Sequence, residues 1–459
     1  MAGAKVWWHR EVPARPHLPG IALRLIEEVT AVQRILSSHL PTRVGETVRI
    51  AGWVHRRRLL KSVAFLIVRD AAGLTQVVVA DPAVRADVTA LPEETVVEVV
   101  GTVTANGTAP AGVELTGPTV RPLGPPAVPP PFDLYRPALT AALPTQLDHA
   151  SVALRHPTRS AALRISAAAV AGFRAALDAR DFVEVHTPKV VATSTESGAN
   201  VFTLDWFGRP AYLAQSPQFY KQLMVGVFER VYEVGPVFRA EPHDTVRHLA
   251  QYTSLDVELG FVVDHRDVMV VLRDTLAGML AEVARRAGGA VATLGLTLPE
   301  VPVEIPAVHF TEALRIAGAP PDEPDLAPAH ERTLGEWART AHGSDFLFVT
   351  GYPMAKRPFY THPDPARPAY SNGFDLLFRG LELVTGGQRL HRHADYLAAL
   401  AARGEPVEPY AGYVDAFRHG MPPHGGFAIG LERFVARLVG AANVREVTAF
   451  PRDLHRLTP

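Results

Sequence analysis

Apolar and polar residues alternate with a period of two along two neighbouring segments in the middle of the chain. RVYEVGPVFRAE begins at Arg230 and QYTSLDVELGF begins at Gln251. This period is typical of half-buried antiparallel strands, so the two segments predict a β-hairpin. Its loop carries charged and imidazole side chains: Arg239, Glu241, His243, Arg247 and His248. Guanidinium groups can hold a phosphate through paired hydrogen bonds, so the loop predicts a polyanion site, with a solvated hairpin as the alternative.

A second pattern, HGGFAIGLERFVA at 424–436, predicts a strand that turns directly into a helix at Leu431. Glycines let a ligand approach the backbone of a strand closely. Gly430 ends this strand, and Arg433 follows in the first turn of the helix. Because the N-terminus of a helix favours anions, this segment predicts a second anion-binding element.

The region 40–122 consists of short strand patterns separated by turn residues, with a helix-like segment around Ala83–Leu91. Five such strands and one helix predict an OB-fold, a barrel that binds single-stranded nucleic acid on one face. Farther along, an alanine-rich helix is predicted from about Thr158 to Arg180, followed by a strand that contains Pro188.

Composition narrows the class of protein. The chain has 459 residues, a formal net charge of −1 and no cysteine. A nearly neutral chain would bind nucleic acid through local basic patches. The absence of cysteine excludes disulfides and cysteine-based zinc sites and is typical of a cytoplasmic protein. No apolar run of membrane-spanning length and no signal peptide is apparent, so we expect a cytoplasmic protein that does not contact a membrane.

The hairpin with its FRAE…RHL loop, the GLER turn and the alanine-rich helix before Pro188 resemble motifs 2, 3 and 1 of the class II aminoacyl-tRNA synthetases. Over about residues 35–459 the chain resembles the aspartyl-tRNA synthetases of the archaeal/eukaryotic type. The segments that carry this resemblance are VHTPKVVATSTESGANVF (185–202), AQSPQFYKQLM (214–224), FDLLFRGLELVTGGQRLHRH (374–393), AFRHGMPPHGGFAIGLERF (416–434) and FPRDLHRLTP (450–459).

The resemblance implies an α+β fold class: an N-terminal OB-fold β-barrel, then a class II catalytic domain with an antiparallel β-sheet flanked by helices. The expected domains are an extension of unknown role at 1–34, an OB-fold anticodon-binding domain at 35–122, a Pro-rich hinge at 123–145 and the catalytic domain at 146–459, with an insertion at about 264–340. A proline-rich hinge of this kind is extended and stiff.

The implied reaction is the ATP-dependent attachment of L-aspartate to tRNA(Asp) through an aspartyl-adenylate. Attack of a carboxylate on the α-phosphorus needs positioning and cations rather than covalent help from the protein. By resemblance, Arg239, Arg433 and Glu241 are the catalytic residues. The implied ATP-binding residues are Arg239, Glu241, Arg247, His248, Leu249, Glu382, Gly430 and Arg433.

For L-aspartate, the resemblance places Arg389, supported by Lys221, against the β-carboxylate. Asparagine would leave both cations without a partner in a buried site. The other implied aspartate-binding residues are Glu196, Ser216, Gln218, Arg239 and Thr385. The implied Mg²⁺ ligands are Asp375, Glu382 and Thr385, which stands where the family has serine; carboxylates with phosphates and water suit this ion.

On the OB-fold, the resemblance implies that Phe65, Arg69 and Gln76 hold the central anticodon base by stacking and hydrogen bonding. Enzymes restricted to tRNA(Asp) have a tryptophan and a lysine where this chain has His55 and Pro110. The pair resembles the non-discriminating kind, which also charges tRNA(Asn) and leaves amidation to a tRNA-dependent amidotransferase. The strand with Pro188 is implied to lie at the interface of a homodimer.

Three alternatives stay open at this point. An asparaginyl-tRNA synthetase would share most of these motifs, and an adenylating paralogue would pass aspartate to an acceptor other than tRNA. A non-catalytic nucleic-acid-binding regulator predicts the loss of phosphate-binding arginines or of the Mg²⁺ acids. The sequence keeps all of those residues.

Overall fold

The computed structural model describes residues 33–193, 201–242 and 244–458. The chain divides into two compact units, with the boundary between Thr140 and Ala141. The first unit contains a closed five-stranded barrel, and the second contains an eight-stranded sheet with helices. The predicted fold class is therefore confirmed.

The barrel of the first unit has the strand order β1-β2-β3-β5-β4. Its strands are β1 Thr47–Leu59, β2 Ala64–Arg69, β3 Leu74–Val79, β4 Val96–Ala105 and β5 Val113–Pro122. Alternate side chains such as Val54, Leu66 and Val77 are fully buried, which is the period-two pattern expected of barrel strands. Helix α1 (Pro82–Ala90) begins after Asp81, whose carboxylate accepts two backbone N–H groups and caps it.

The second unit is built on a sheet with the order β12-β13-β16-β17-β18-β11-β10-β6. Its pairs are antiparallel except at the two edges, where β6 and β12 pair in parallel with their neighbours. The strands of this unit are β6 Val183–Glu184, β7 Val190–Val191, β8 Thr203–Trp206, β9 Arg209–Leu213, β10 Arg230–Phe238, β11 Gln251–Gly260, β12 Ala307–His309, β13 Phe346–Thr350, β14 Pro363–Asp364, β15 Arg367–Ser371, β16 Gly373–Phe378, β17 Glu382–Gln388 and β18 His424–Gly430.

The second unit also contains ten α-helices within the described residues. They are α2 Leu143–Asp148, α3 Ala150–Ala153, α4 Pro157–Asp178, α5 Gln218–Phe228, α6 His265–Thr293, α7 Phe310–Ala317, α8 Pro328–His342, α9 His393–Arg403, α10 Ala411–Ala416 and α11 Leu431–Val439. The predicted alanine-rich helix corresponds to α4, and the predicted strand-to-helix turn corresponds to β18 and α11.

Helices α4 and α6 pack closely in the main core. A Cβ atom added to Gly172 would lie 2.7 Å from the carbonyl oxygen of Gly278, so only glycine fits at this crossing. Alanines along α4 serve the same close approach, and Phe173 of α4 and Met279 of α6 are fully buried. Helix α6 thus contributes to the core, although it falls in the segment 264–340 that we interpret as an insertion.

Helix α4 also has the length and apolar composition of a membrane-spanning helix, contrary to the expectation that no such run exists. Its apolar residues have another explanation, because Ile165, Ala169 and Leu177 are buried in the main core. A buried core helix passes the same test of length and composition.

Candidate active site

A cavity of about 140 Å³ opens where β11, β17 and β18 lie side by side. Each residue predicted to bind ATP lies in its wall: Arg239, Glu241, Arg247, His248, Leu249, Glu382, Gly430 and Arg433. These residues come from segments up to almost two hundred positions apart in the sequence, so the fold brings together what the two anion-binding patterns predicted separately. Their role in binding ATP stays a prediction.

Strand register explains which side chains face this cavity. Thr385 and Asp256 both lie opposite Ala428 in antiparallel pairs, and Ser254 lies opposite Gly430. Directly opposed residues point to the same face of a sheet, and so do residues two positions apart. One face of β11, β18 and β17 therefore carries hydroxyl and carboxyl groups next to glycine and alanine, and the small residues leave room for a ligand.

The arginines of the cavity are held in position by their neighbours. Arg239 lies over the ring of Tyr252, 5.7 Å from its centroid, and one of its nitrogens is 3.7 Å from the carboxylate of Glu241. Arg433 donates a hydrogen bond of 3.2 Å to the carbonyl oxygen of Glu382. These contacts hold the guanidinium groups of Arg239 and Arg433 at the cavity, where they would stabilise phosphate oxygens.

The predicted metal ligands Asp375 and Glu382 lie on the neighbouring strands β16 and β17, and of these two only Glu382 lines the cavity. Burial, followed by the nearby charge of Asp375, raises the pKa of Glu382 to about 7. Asp375 accepts a hydrogen bond of 3.0 Å from Arg357, but its Oδ1 is buried without a hydrogen-bond partner among the described residues. Thr385 also lines the cavity, and its hydroxyl is 3.4 Å from Glu382. An orphaned carboxylate oxygen beside a second acid fits a divalent cation.

Sequence reasoning missed Glu331, which lies on α8 in the predicted insertion. Its carboxylate accepts the backbone N–H of Glu382 at 2.9 Å and lies 3.7 Å from Arg247. One buried acid thus contacts both an arginine of the predicted ATP site and a predicted metal ligand. The sequence did contain an indication of this role. Glu331 lies at helical spacing from Leu334 and Ala338, so it falls on the apolar face of α8, where an acid is expected to have a buried partner.

A close glycine contact brings α8 to this place. A Cβ atom added to Gly335 would lie 2.4 Å from the Cα of Gly380, in the turn between β16 and β17. Gly380 has a φ of +72°, which favours glycine. Helix α8 therefore lies directly on the turn that leads into Glu382.

The predicted aspartate site contains a buried charge cluster. Lys221 donates to Asp256 at 3.0 Å and lies 3.4 Å from Glu258, and Arg389 donates to Glu258 at 3.1 Å. The side chain of Glu258 is 0% exposed and that of Lys221 is 1% exposed. Both predicted cations therefore hold carboxylates of the protein, and Lys221 could contact a ligand directly only by leaving them. This differs from the expectation of two cations facing the substrate.

Gly426 makes that cluster possible. A Cβ atom at this position would lie 2.2 Å from the carboxylate of Glu258, and the carbonyl oxygen of Gly426 accepts a hydrogen bond of 3.0 Å from Arg389. The glycines of β18 thus make space for a buried ion pair as well as for a ligand.

The other predicted aspartate-binding residues lie at the start of α5. Ser216 accepts the backbone N–H of Gln218 at 3.3 Å, and the Gln218 amide donates to Gln222 at 2.9 Å. Gln222 in turn donates to His424 at 2.9 Å, a contact that sequence reasoning did not anticipate. Burial lowers the pKa of His424 to about 4, so a neutral ring accepts this bond. Glu196 lies outside the described residues.

The predicted anticodon residues all lie in the first unit, and all but Pro110 lie on barrel strands. His55 falls within a β-bulge of β1, a feature that re-aims side chains, and is 3.5 Å from Arg69. Arg69 makes two hydrogen bonds of 2.9 Å to Glu94, so its guanidinium is engaged inside the unit. Gln76 donates to Glu114 at 2.8 Å.

Phe65 and Pro110 complete this predicted set. Phe65 is half-buried on β2, with the guanidinium of Arg58 5.5 Å from the centre of its ring. Pro110 begins a 3-10 turn just before β5. The structure places Phe65, Arg69 and Gln76 on the adjacent strands β2 and β3, but the polar groups of Arg69 and Gln76 already have protein partners.

Comparison with known proteins shows the family. A model described as tRNA synthetases class II (D, K and N) matches residues 143–454, and one described as OB-fold nucleic acid binding domain matches residues 48–123. The chain belongs to the class II aminoacyl-tRNA synthetases. The prediction made from the three motifs is thus confirmed.

This synthetase is 46% identical to the aspartate–tRNA(Asp/Asn) ligase of Thermus thermophilus, over 93% of its own length and 100% of the relative. It is 44% identical to the protein of the same name from Deinococcus radiodurans, over 93% and 99% of the two chains. Among solved structures, asparaginyl-tRNA synthetase from Pyrococcus horikoshii with asparaginyl-adenylate matches with a TM-score of 0.87 at 28% identity, covering 93% and 100%. Aspartyl-tRNA synthetase from Entamoeba histolytica matches with a TM-score of 0.83 at 28% identity, covering 94% and 93%.

Proposed function

We propose that this synthetase activates L-aspartate with ATP and transfers it to tRNA(Asp) and tRNA(Asn). The observation that carries the proposal is one cavity that collects the predicted ATP-binding residues beside the cluster of Lys221, Arg389 and Glu258. Relatives named aspartate–tRNA(Asp/Asn) ligase share more of the sequence than the asparaginyl enzyme does, which favours aspartate over the asparaginyl alternative.

In the first step, an α-carboxylate oxygen of aspartate attacks the α-phosphorus, and the bond to the bridging oxygen of pyrophosphate breaks. Arg239 would stabilise the α-phosphate oxygens as their charge grows, while Arg247 and Arg433 hold the β and γ end. Asp375, Glu382 and Thr385 would hold Mg²⁺, which supplies positive charge against phosphate oxygens. In the second step a ribose hydroxyl of tRNA takes the aspartyl group and AMP leaves.

Selection of the amino acid would rest on Arg389, which is already oriented by Glu258. Lys221 is a positioning residue in this proposal, because it fixes Asp256 and Glu258. An amide in place of the β-carboxylate could not form a charge-assisted hydrogen bond with the guanidinium of Arg389, so it would bind more weakly. The enzyme would work in the cytoplasm, with a tRNA-dependent amidotransferase acting on aspartyl-tRNA(Asn).

The range of tRNA is tested by charging purified tRNAs with GUC and GUU anticodons side by side. Each good base contact is worth about 1–3 kcal/mol, so without the tryptophan and lysine of restricted enzymes both tRNAs are expected to be charged within about tenfold of each other. Replacing His55 by Trp and Pro110 by Lys is expected to shift charging toward the GUC tRNA. Negligible charging of the GUU tRNA by the unmodified enzyme would refute the relaxed specificity, and aspartate-dependent ATP–pyrophosphate exchange controls for folding.

We further propose a homodimer formed by helix α4 and the segment with Pro188 that follows it. Pro188 lies between β6 and β7 and not in a strand as predicted, so the contact would run along the β6 edge of the sheet. Strand β6 has only two residues, and apolar side chains are exposed around it: Val183 is 38% exposed and Phe228, just before β10, is 43% exposed. A self-complementary contact would cover these groups, as in most twofold dimers. Light scattering is expected to give twice the chain mass, and Val183→Glu with Phe228→Glu is expected to lower it. A monomer with full activity would contradict this assembly.

A further inference from the structure

A second cavity lies directly behind the predicted phosphate end of the first. It has a volume of about 440 Å³, compared with about 140 Å³ for the first cavity. Arg247, Arg433 and Val444 line both cavities, so the two are neighbours with a shared wall. None of the residue roles assigned above accounts for the rest of this second cavity.

The second cavity is strongly positive. Four arginines line it, and Glu331 is the one acid in its described wall; the arginines are Arg247, Arg332, Arg433 and Arg437. Helix α11 carries Arg433, Ala436 and Arg437 on one face, which places an arginine at the shared wall and another deeper inside. Arg437 donates hydrogen bonds to the carbonyl oxygens of Phe378 and Arg379, and it forms no ion pair with a carboxylate of the described residues.

Arg332 stands out among these four. It is exposed, and within the described residues it has neither a hydrogen bond nor an ion pair. The other arginine of the same helix, Arg339, pairs with Glu336 one turn away at 2.7 Å, as surface arginines on helices commonly do. The contact between Gly335 and Gly380 fixes α8 on the sheet and so holds Arg332 at the mouth of the cavity.

We propose that this cavity is a product subsite that receives pyrophosphate after it leaves the α-phosphorus. The inference rests on the proposed function. Cleavage of the bond leaves an additional negative charge on the departing β-phosphate oxygen, so the product is more anionic than the same two phosphates within ATP. The product is therefore attracted toward the more positive of the two adjoining cavities. Arg247 and Arg433 line both cavities, so they could contact the product before and after it moves.

The test is the substitution Arg332→Gln, with Arg339→Gln on the same helix as the matched control. Arg332 has no partner in the described structure, so this change removes a charge without breaking an internal contact. ATP–pyrophosphate exchange is measured against the concentration of pyrophosphate and, separately, of ATP. We expect the KM for pyrophosphate to rise about fivefold, the size expected for one exposed ion pair, with the KM for ATP unchanged.

Three outcomes decide the proposal. A selective rise in the KM for pyrophosphate that is absent in the control supports it. An unchanged KM for pyrophosphate overturns it, and equal increases for ATP and pyrophosphate overturn it as well, because the cavity would then hold the tail of ATP itself. If the unmodified enzyme shows no exchange, the proposed function fails instead, and calorimetry with pyrophosphate alone tests the subsite: weaker binding by the Arg332→Gln variant supports it, and equal binding overturns it.

Discussion

Replacing Arg389 by leucine is expected to abolish aspartate-dependent ATP–pyrophosphate exchange and to destabilise the protein. Glu258 is fully buried, and its pKa is low because Arg389 and Lys221 outweigh the opposing effect of burial. Without Arg389, Glu258 keeps only Lys221 at 3.4 Å, and the predicted partner of the substrate carboxylate is lost. Breaking a buried pair on one side costs about 3–5 kcal/mol.

Both readouts can be measured on one variant. Exchange is assayed with aspartate and with asparagine, and the free energy of unfolding is measured by urea denaturation. A carboxyl group whose pKa is lowered on folding stabilises the protein above its unfolded pKa, and that stability is lost as pH falls through the folded pKa. The difference in stability between Arg389→Leu and the unmodified protein should therefore shrink at acid pH.

The matched control for this experiment is Arg392→Leu. Arg392 follows three residues later, is 71% exposed and pairs with Asp395 on the surface. It is expected to change exchange and stability little, since exposed pairs contribute at most about 1 kcal/mol. Robust exchange with asparagine by the unmodified enzyme, or normal exchange by Arg389→Leu, would contradict the assignment of the amino acid.

Replacing Glu382 by glutamine is expected to slow adenylation by about a hundredfold or more, the usual effect of removing one preorganised charge from an active site. The variant should also need more Mg²⁺ for half-maximal activity, because an amide is a weaker ligand than a carboxylate. In the absence of Mg²⁺, by contrast, the same substitution is expected to stabilise the folded protein. A raised carboxyl pKa means that ionising Glu382 destabilises the fold as pH rises from its ordinary value of 4.5 to about 7.

Glutamine carries no charge, so at pH 7 the variant should unfold at a slightly higher temperature than the unmodified protein while it adenylates far more slowly. A merely structural role for Glu382 would make stability and activity fall together. Glu336→Gln is the control, since Glu336 is exposed on α8 and its one ion pair among the described residues is with Arg339. Near-normal adenylation by Glu382→Gln would show that the metal assignment is wrong at this position.

The sequence predicts well those elements that are marked by a local pattern, such as a hydrophobic period or a turn glycine. Alternation with period two marked β10 and β11, and Gly430 marked the turn from β18 into α11. The resemblance to the class II synthetases then supplied the eight predicted ATP-binding residues, which line the first cavity. The barrel was predicted for the same reason, because its five strands are separated by turn residues.

The features that the sequence did not predict depend on contacts between distant segments. The partners of Lys221 are set by the register of β11 and β18, which no local pattern contains. Glu331 reaches Glu382 only because α8 lies on the turn at Gly380. His55 was predicted as an anticodon residue, but it is buried beside Arg69, at a bulge that periodicity does not reveal.

Different helices contact the two ends of the predicted site, so the two ends can change independently in sequence. The predicted phosphate and metal end contacts α8 through Gly335 and Glu331, whereas the predicted amino-acid end contacts α5 through Lys221 and Gln222. If the predicted roles hold, we expect sequence changes in α8 to alter affinity for nucleotide and metal while leaving the choice of amino acid intact.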